Sequence, residues 1–310
     1  MMKRNFLPWV EAHKLNLCCI CELTSEMHII EQYQDKINWD FVCRNINALP
    51  LREKNIDKIN WSILSNNINA ISILEKNIDK IDWVKLSGNI NAISILEKNI
   101  DKIDWVQLSR NINAISILEK NIDKINWKIL SYNENAISIL EKNIHKIDWV
   151  HLSGNINAIS ILEKNIDKIN WGTLSGNKNA IEILEKNMER IVWSTLCSNI
   201  NAIHLLEHNE DEQKYLYDWY ELGSNINAID LIERYIEEDI DYMHEDRDKD
   251  MIWSSLSENI NAIRILEKYQ HKINWYCLSR NINAIDLLEK NQHEINYYFL
   301  SFNTNIYINA

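Results

Sequence analysis

The chain has 310 residues, 46% hydrophobic and 25% charged, with a net charge of −12. This is a globular composition, and its acidic balance disfavours nucleic acid, whose phosphates are met by clustered Lys and Arg. No apolar run approaches the ~18–20 residues of a membrane span, the N-terminus lacks the apolar core of a secretory signal, and Cys without paired spacing point to free thiols in a reducing compartment.

Residues 1–14 read as an N-terminal cap, a turn or helix in which Pro8 suits a first helical position. From residue 15 onward the chain is one repeat. Trp61, Trp83, Trp105, Trp127, Trp149, Trp171 and Trp193 each follow the last by 22 positions, and a fixed period of that size means a solenoid. The first repeat, 15–36, is degenerate: Leu17 and Ile20 stand for the Trp and Leu of later units. Regular units run from Trp39 to Trp193, with insertions of four residues near 210–218 and twelve near 236–252. Spacing returns at Trp275 and Tyr297, and the last repeat, 295–310, is truncated. Residues 15–310 thus form a single array of about 13 units.

With Trp as position 0, each unit reads as two short helices. Position −1 is Asn or Asp (Asn60, Asp82, Asp104) and N-caps the first helix, on which Trp83 and Leu86 share a face. With only five Gly in the chain, Asn89 is expected to close that helix in the left-handed conformation. Asn91 is expected to cap the second helix, whose buried stripe is Ala92, Ile93, Ile95 and Leu96, and Asn99 ends it. Position 4 is Ser, Cys or Gly (Ser87, Cys21, Cys43, Cys197, Gly223), residues small enough for a packed face. The fold class is therefore all-α, a right-handed-type α-solenoid of stacked helix-turn-helix repeats. A leucine-rich-like coil is the alternative, since I-x-x-V-x-L-x-x-N fits residues 81–89, but its inward apolar positions are Ser62, Lys128 or a second Asn here.

The unit W-x-x-L-S-x-N-x-N-A-I-x-I-L-E-K-N resembles the 22-residue Asn/Ile/Trp-rich repeats of giant DNA viruses, over about residues 15–306. It is similar to an ankyrin helix pair without the β-hairpin. The resemblance implies a viral, ankyrin-like repeat protein of the host cytoplasm or virion, not secreted, and carries over no catalytic residues.

Little in the chain promises chemistry. Cys18, Cys19 and Cys21 have no second ligand pair, and His204 and His208, though four apart, have no third ligand. The acidic stretch Glu237–Asp250 lacks the Gly of a calcium loop and reads as a solvated loop or extended helix, with docking of a basic partner as the other reading. The Glu–Lys and Asp–Lys pairs of each unit read as solvated faces. No catalytic, cofactor or metal site is expected, and the protein is not expected to be an enzyme.

The informative positions are 1, 2 and 5 of the first helix, which vary while the rest repeats and lie opposite the Trp/Leu seam. Tyr132, Tyr220, Glu221, Tyr276, Arg280, Tyr298, Phe299 and Phe302 occupy them and are the candidate partner-binding residues; Trp61 to Trp171, Asn89 and Asn91 are structural. The expected function is a non-enzymatic protein–protein interaction scaffold binding a host or viral protein, without nucleic acid or membrane. The alternative is a structural component of a virion or filament that assembles end to end.

Overall fold

The Asn or Asp before each Trp starts a helix because its side chain accepts a backbone N–H of the first turn: Asp82 from Lys85, Asn60 from Ile63, Asp148 from His151. In the computed structural model, which describes residues 4–33, 36–208, 217–238 and 246–309, this start recurs along a helical-repeat solenoid. A regular unit has a first helix (Trp83–Gly88), a second (Ile93–Glu97) and a 3-10 turn (Ile100–Lys102). First helices of successive repeats pack on one another in sequence order. Leu86, Ala92 and Leu96 are fully buried, with Ile95 close to it. Burying such aliphatic side chains contributes about 1.5–3 kcal/mol each before entropy, which is how helices too short to persist alone are held.

The chain forms two compact units, one of Asn16–Ile161 and one of Arg4–Leu15 with Leu162–Ala310. Within each unit the repeats are tied by asparagine, in a way that overturns two expectations. Among the described residues none has a positive φ. Asn89 is extended, at φ −74 and ψ 113. Its Nδ2 donates to the carbonyls of Ser65 and Asn67 in the preceding repeat, at 3.0 and 3.1 Å, while its Oδ1 accepts the N–H of Asn91. Asn91 does not cap the second helix, whose N-cap position is Ala92. The Asn91 Nδ2 instead donates to the Ile68 carbonyl, again in the preceding repeat. Asn therefore serves as a donor between repeats, satisfying carbonyls that a helix end leaves open.

The insertions leave this ladder intact. The Asn-to-carbonyl pair spans 24 residues in a regular repeat, 28 for Asn225 to Cys197, and 36 for Asn259 to Gly223, at 2.9 and 2.8 Å in the last two. The helices flanking the second insertion lengthen to Ile229–Glu238 and Asp246–Glu258. The parts of the insertions at 209–216 and 239–245 lie outside the described residues. At position 4, size is only part of the requirement. Ser87 Oγ donates to the Trp83 carbonyl and accepts the Asp104 N–H at 3.0 Å, so it links one helix to the next cap. Cys43 and Cys197 stand beside the corresponding N–H groups of Asn60 and Asp218. At Gly223 an added Cβ would lie 2.0 Å from Ser255 Oγ and 3.2 Å from the Ile252 carbonyl, so a larger residue needs Ser255 to move.

The turn lysines are not simply solvated. Lys102 lies over the Trp83 ring at 4.7 Å from its centroid, and Lys80, Lys124 and Lys146 repeat the arrangement on Trp61, Trp105 and Trp127. Each half-buried indole is thereby covered by a cation, a contact worth about 0.5–1 kcal/mol at an exposed site.

The N-terminal segment also departs from expectation. It is a strand, β1 (Arg4–Phe6), then a turn holding Pro8, then a 3-10 turn (Ala12–Lys14). It packs on the last repeat of its own unit: β1 pairs antiparallel with β2 (Tyr307–Asn309), Phe6 stacks on Tyr307, and Lys14 lies over Tyr297 at 5.1 Å. Tyr297 holds the Trp position, so Lys14 does there what Lys102 does on Trp83. The segment AHKLNL aligns with IDKINW of the regular array and takes, on the Tyr297 unit, the place that the turn Ile100–Lys102 takes on the Trp83 unit.

The Trp193 repeat lacks its cap. Val192 stands in the Asn/Asp slot and makes no side-chain cap bond. Val192→Asp is expected to stabilise the protein by about 0.5–2 kcal/mol, read as a higher urea midpoint. An unchanged or lower midpoint would mean that the Val192 contacts outweigh a cap.

Candidate functional site

Positions 1, 2 and 5 face outward as the helical period requires. Tyr132, Tyr220, Tyr276 and Tyr298 are 57%, 40%, 62% and 53% exposed. At the last two first helices, Trp275–Arg280 and Tyr297–Leu300, the variable residues meet. Phe299 touches Tyr276 and Tyr298 edge-on, at centroid distances of 6.0 and 5.4 Å, and Tyr298 meets Phe302 at 5.7 Å. Arg280 lies over Phe302 at 5.8 Å and pairs with Glu258 at 3.7 Å. Phe299 and Phe302 are half-buried beneath the tyrosines, so the five residues Tyr276, Arg280, Tyr298, Phe299 and Phe302 form one aromatic patch carrying a guanidinium.

The other candidates are not part of it. Tyr220 and Glu221 sit on an earlier helix, Trp219–Ser224, where their N–H groups are capped by Asp218. Tyr132 lies in the first unit and lines an open groove of about 480 Å³ with Arg110, Ile112 and His151.

The thiols and histidines read as packing and surface groups. Cys19, Cys21, Cys43 and Cys197 are buried. Burial pushes the Cys21 and Cys197 thiols up to about 12 and Cys277 to about 11, which leaves little thiolate at neutral pH. His204 pairs with Glu185 of the preceding repeat at 2.9 Å, and His208 turns to the His204 carbonyl. Among the described residues no group of three or more His, Cys, Asp or Glu could hold a metal ion, and no helix is long and apolar enough to cross a membrane.

Sequence reasoning missed one row of this surface. The Ile between the two ladder asparagines is solvent-facing: Ile46, Ile112, Ile226 and Ile260 are 38–48% exposed. The signal was present, since Glu134, Lys178 and Thr304 fill that slot in other units, and a buried slot would not accept them.

These features define the class as an all-α helical-repeat solenoid with a variable, outward-facing row of side chains. Comparison of the chain with protein-family models, with characterised proteins and with solved structures finds no match in any of the three.

Proposed function

We propose that the protein is a non-enzymatic interaction scaffold that binds a partner protein through the aromatic patch of its last two repeats. The observation that carries this reading is the exposure of Tyr276 and Tyr298 on a base of Phe299 and Phe302, at positions which the repeat's own packing leaves free. Exposed rings beside an arginine are the composition of interface hot spots. The likeness of the unit to giant-virus repeats fits a protein made to bind rather than to catalyse. The structural alternative, end-to-end assembly, needs the edge of the last repeat to be vacant, whereas residues 4–15 already occupy it.

The test is paired. Tyr276→Ala and Tyr298→Ala are expected to weaken capture of a partner purified from expressing cells by about 2 kcal/mol, or roughly 30-fold, each. Both should leave the thermal midpoint within a few degrees. Unchanged capture with an intact fold rules the patch out, and a collapsed midpoint assigns the rings to packing.

A further inference from the structure

A second surface lies on the first unit and shares no residue with the aromatic patch. It consists of two open grooves, of about 490 and 480 Å³. They are the same site three repeats apart. Arg44 lines the first and Arg110 the second, 66 positions or three 22-residue periods later. Ile46 and Ile63 give way to Ile112 and Ile129 by the same step, and Lys85 to His151. Each groove therefore has an arginine at one side, isoleucine in its lining and Lys85 or His151 at the far side, the His151 ring being held by Asp148 at 2.8 Å. Asn66 becomes Tyr132 and Ile68 becomes Glu134, so the second groove is more aromatic, and each groove carries one acid, Glu22 in the first and Glu134 in the second.

The charges are informative because the chain as a whole is so acidic, at −12. Arg44 is held loosely by Glu22, at 3.8 Å between exposed side chains. Lys85 and Arg110 make no ion pair within 4 Å among the described residues, although most arginines of this protein do, and Lys85 acts only through space on the Asp82 carboxylate of its own helix start. Between the grooves the row is small and neutral, at Gly88 and Gln107. A side chain added at Gly88 would meet only Gln107, at 3.6 Å. An extended backbone can pass there.

We propose that this face binds an acidic extended peptide that sets one apolar side chain in each groove. Its carboxylates pair with Lys85 and Arg110. Stacked helices lie about 8–10 Å apart, so grooves three repeats apart are roughly 24–30 Å apart. An extended chain covers that in about seven to nine residues at ~3.3 Å each. Two weak anchors joined at a matching length gain affinity from effective concentration, as neither groove can provide alone.

The test is fluorescence anisotropy with a labelled synthetic peptide, Glu-Leu-Glu, a five-residue Gly/Ser spacer, and Leu-Glu. Binding to the full chain is expected, with Lys85→Ala and Arg110→Ala each weakening it about two- to fivefold, the range of exposed ion pairs. The double reversal Lys85→Glu, Arg110→Glu is expected to abolish it and to favour the Lys-Leu-Lys counterpart. Both positions are on the surface, and circular dichroism should show an unchanged fold. Equal binding of a Gln-for-Glu peptide, indifference to the double reversal, or no binding tighter than about 1 mM overturns the proposal. Tyr276→Ala is expected to leave the peptide bound. If that change abolishes binding while the reversal does not, the peptide belongs to the aromatic patch, and the acidic-peptide site falls while the scaffold reading stands.

Discussion

Asn89→Ala is expected to destabilise the protein by about 2–4 kcal/mol, the sum of lost bonds and of polar groups left buried without partners. Asn89 is 1% exposed, so water does not replace its side chain. The change removes both donors to the preceding repeat and the acceptor of the Asn91 N–H. The Asn67 carbonyl keeps a bond from the Ala70 N–H, and the Ser65 carbonyl loses its ladder donor. Asn91→Ala removes one exposed bond, to the Ile68 carbonyl, and is expected to cost about 0.5–1.5 kcal/mol. Glycine at 89 should be no better than alanine, because an extended backbone asks nothing of glycine. Urea midpoints of the three variants decide this. A near-neutral Asn89→Gly would restore the left-handed reading and sink the ladder.

The second large effect has the opposite sign. Arg52 is fully buried in the second helix of the Trp39 repeat, where other repeats place Leu74, Leu96 or Leu118. Its Nη1 donates to the carbonyls of Cys43 and Asn45, while Nε and Nη2 have no partner. Burial lowers its pKa, and among the described residues no carboxylate pairs with it. The same two carbonyls also accept from Asn67, as their counterparts accept from Asn89, so they remain satisfied without the guanidinium. Arg52→Leu is therefore expected to stabilise the protein by about 1–4 kcal/mol, the range for replacing buried ionic groups by apolar ones. A lower thermal midpoint in the leucine variant would refute this and show that the guanidinium ties the repeat together.

What was legible in the sequence follows from what is local. The period, the Asn/Asp caps and the buried Leu86, Ala92, Ile95 and Leu96 depend on neighbours within one unit and were found where expected, while Ile93, expected in the same stripe, is only half-buried. The asparagine ladder was not, because its partners lie one period back, and a 22-residue repeat looks the same whether a side chain bonds within its unit or to the one before. The scarcity of glycine pointed to the left-handed region, whereas the turns use ordinary φ throughout the described residues. β1 was invisible for a related reason: three residues pair with a strand about 300 positions away. Of the candidate site, the outward row at Tyr276 and Tyr298 could be read from its variation. The Ile row could not be read from repetition alone, since a residue repeated for lack of change looks like one repeated for burial.

The ladder has a direction. In both units the ladder Asn of the later repeat donates and the carbonyl of the earlier repeat accepts, as Asn89, Asn111, Asn199 and Asn281 show. Each unit is thus a plug on one side and a socket on the other. An additional 22-residue copy arrives with its own donors and recreates the carbonyl edge it covers, so no polar group is stranded by the addition. The array can grow or shrink by whole units at little energetic penalty, while a change of half a unit would break the series at once. Near-identical neighbours such as the Trp83 and Trp105 units are the sequence record that such a joint permits.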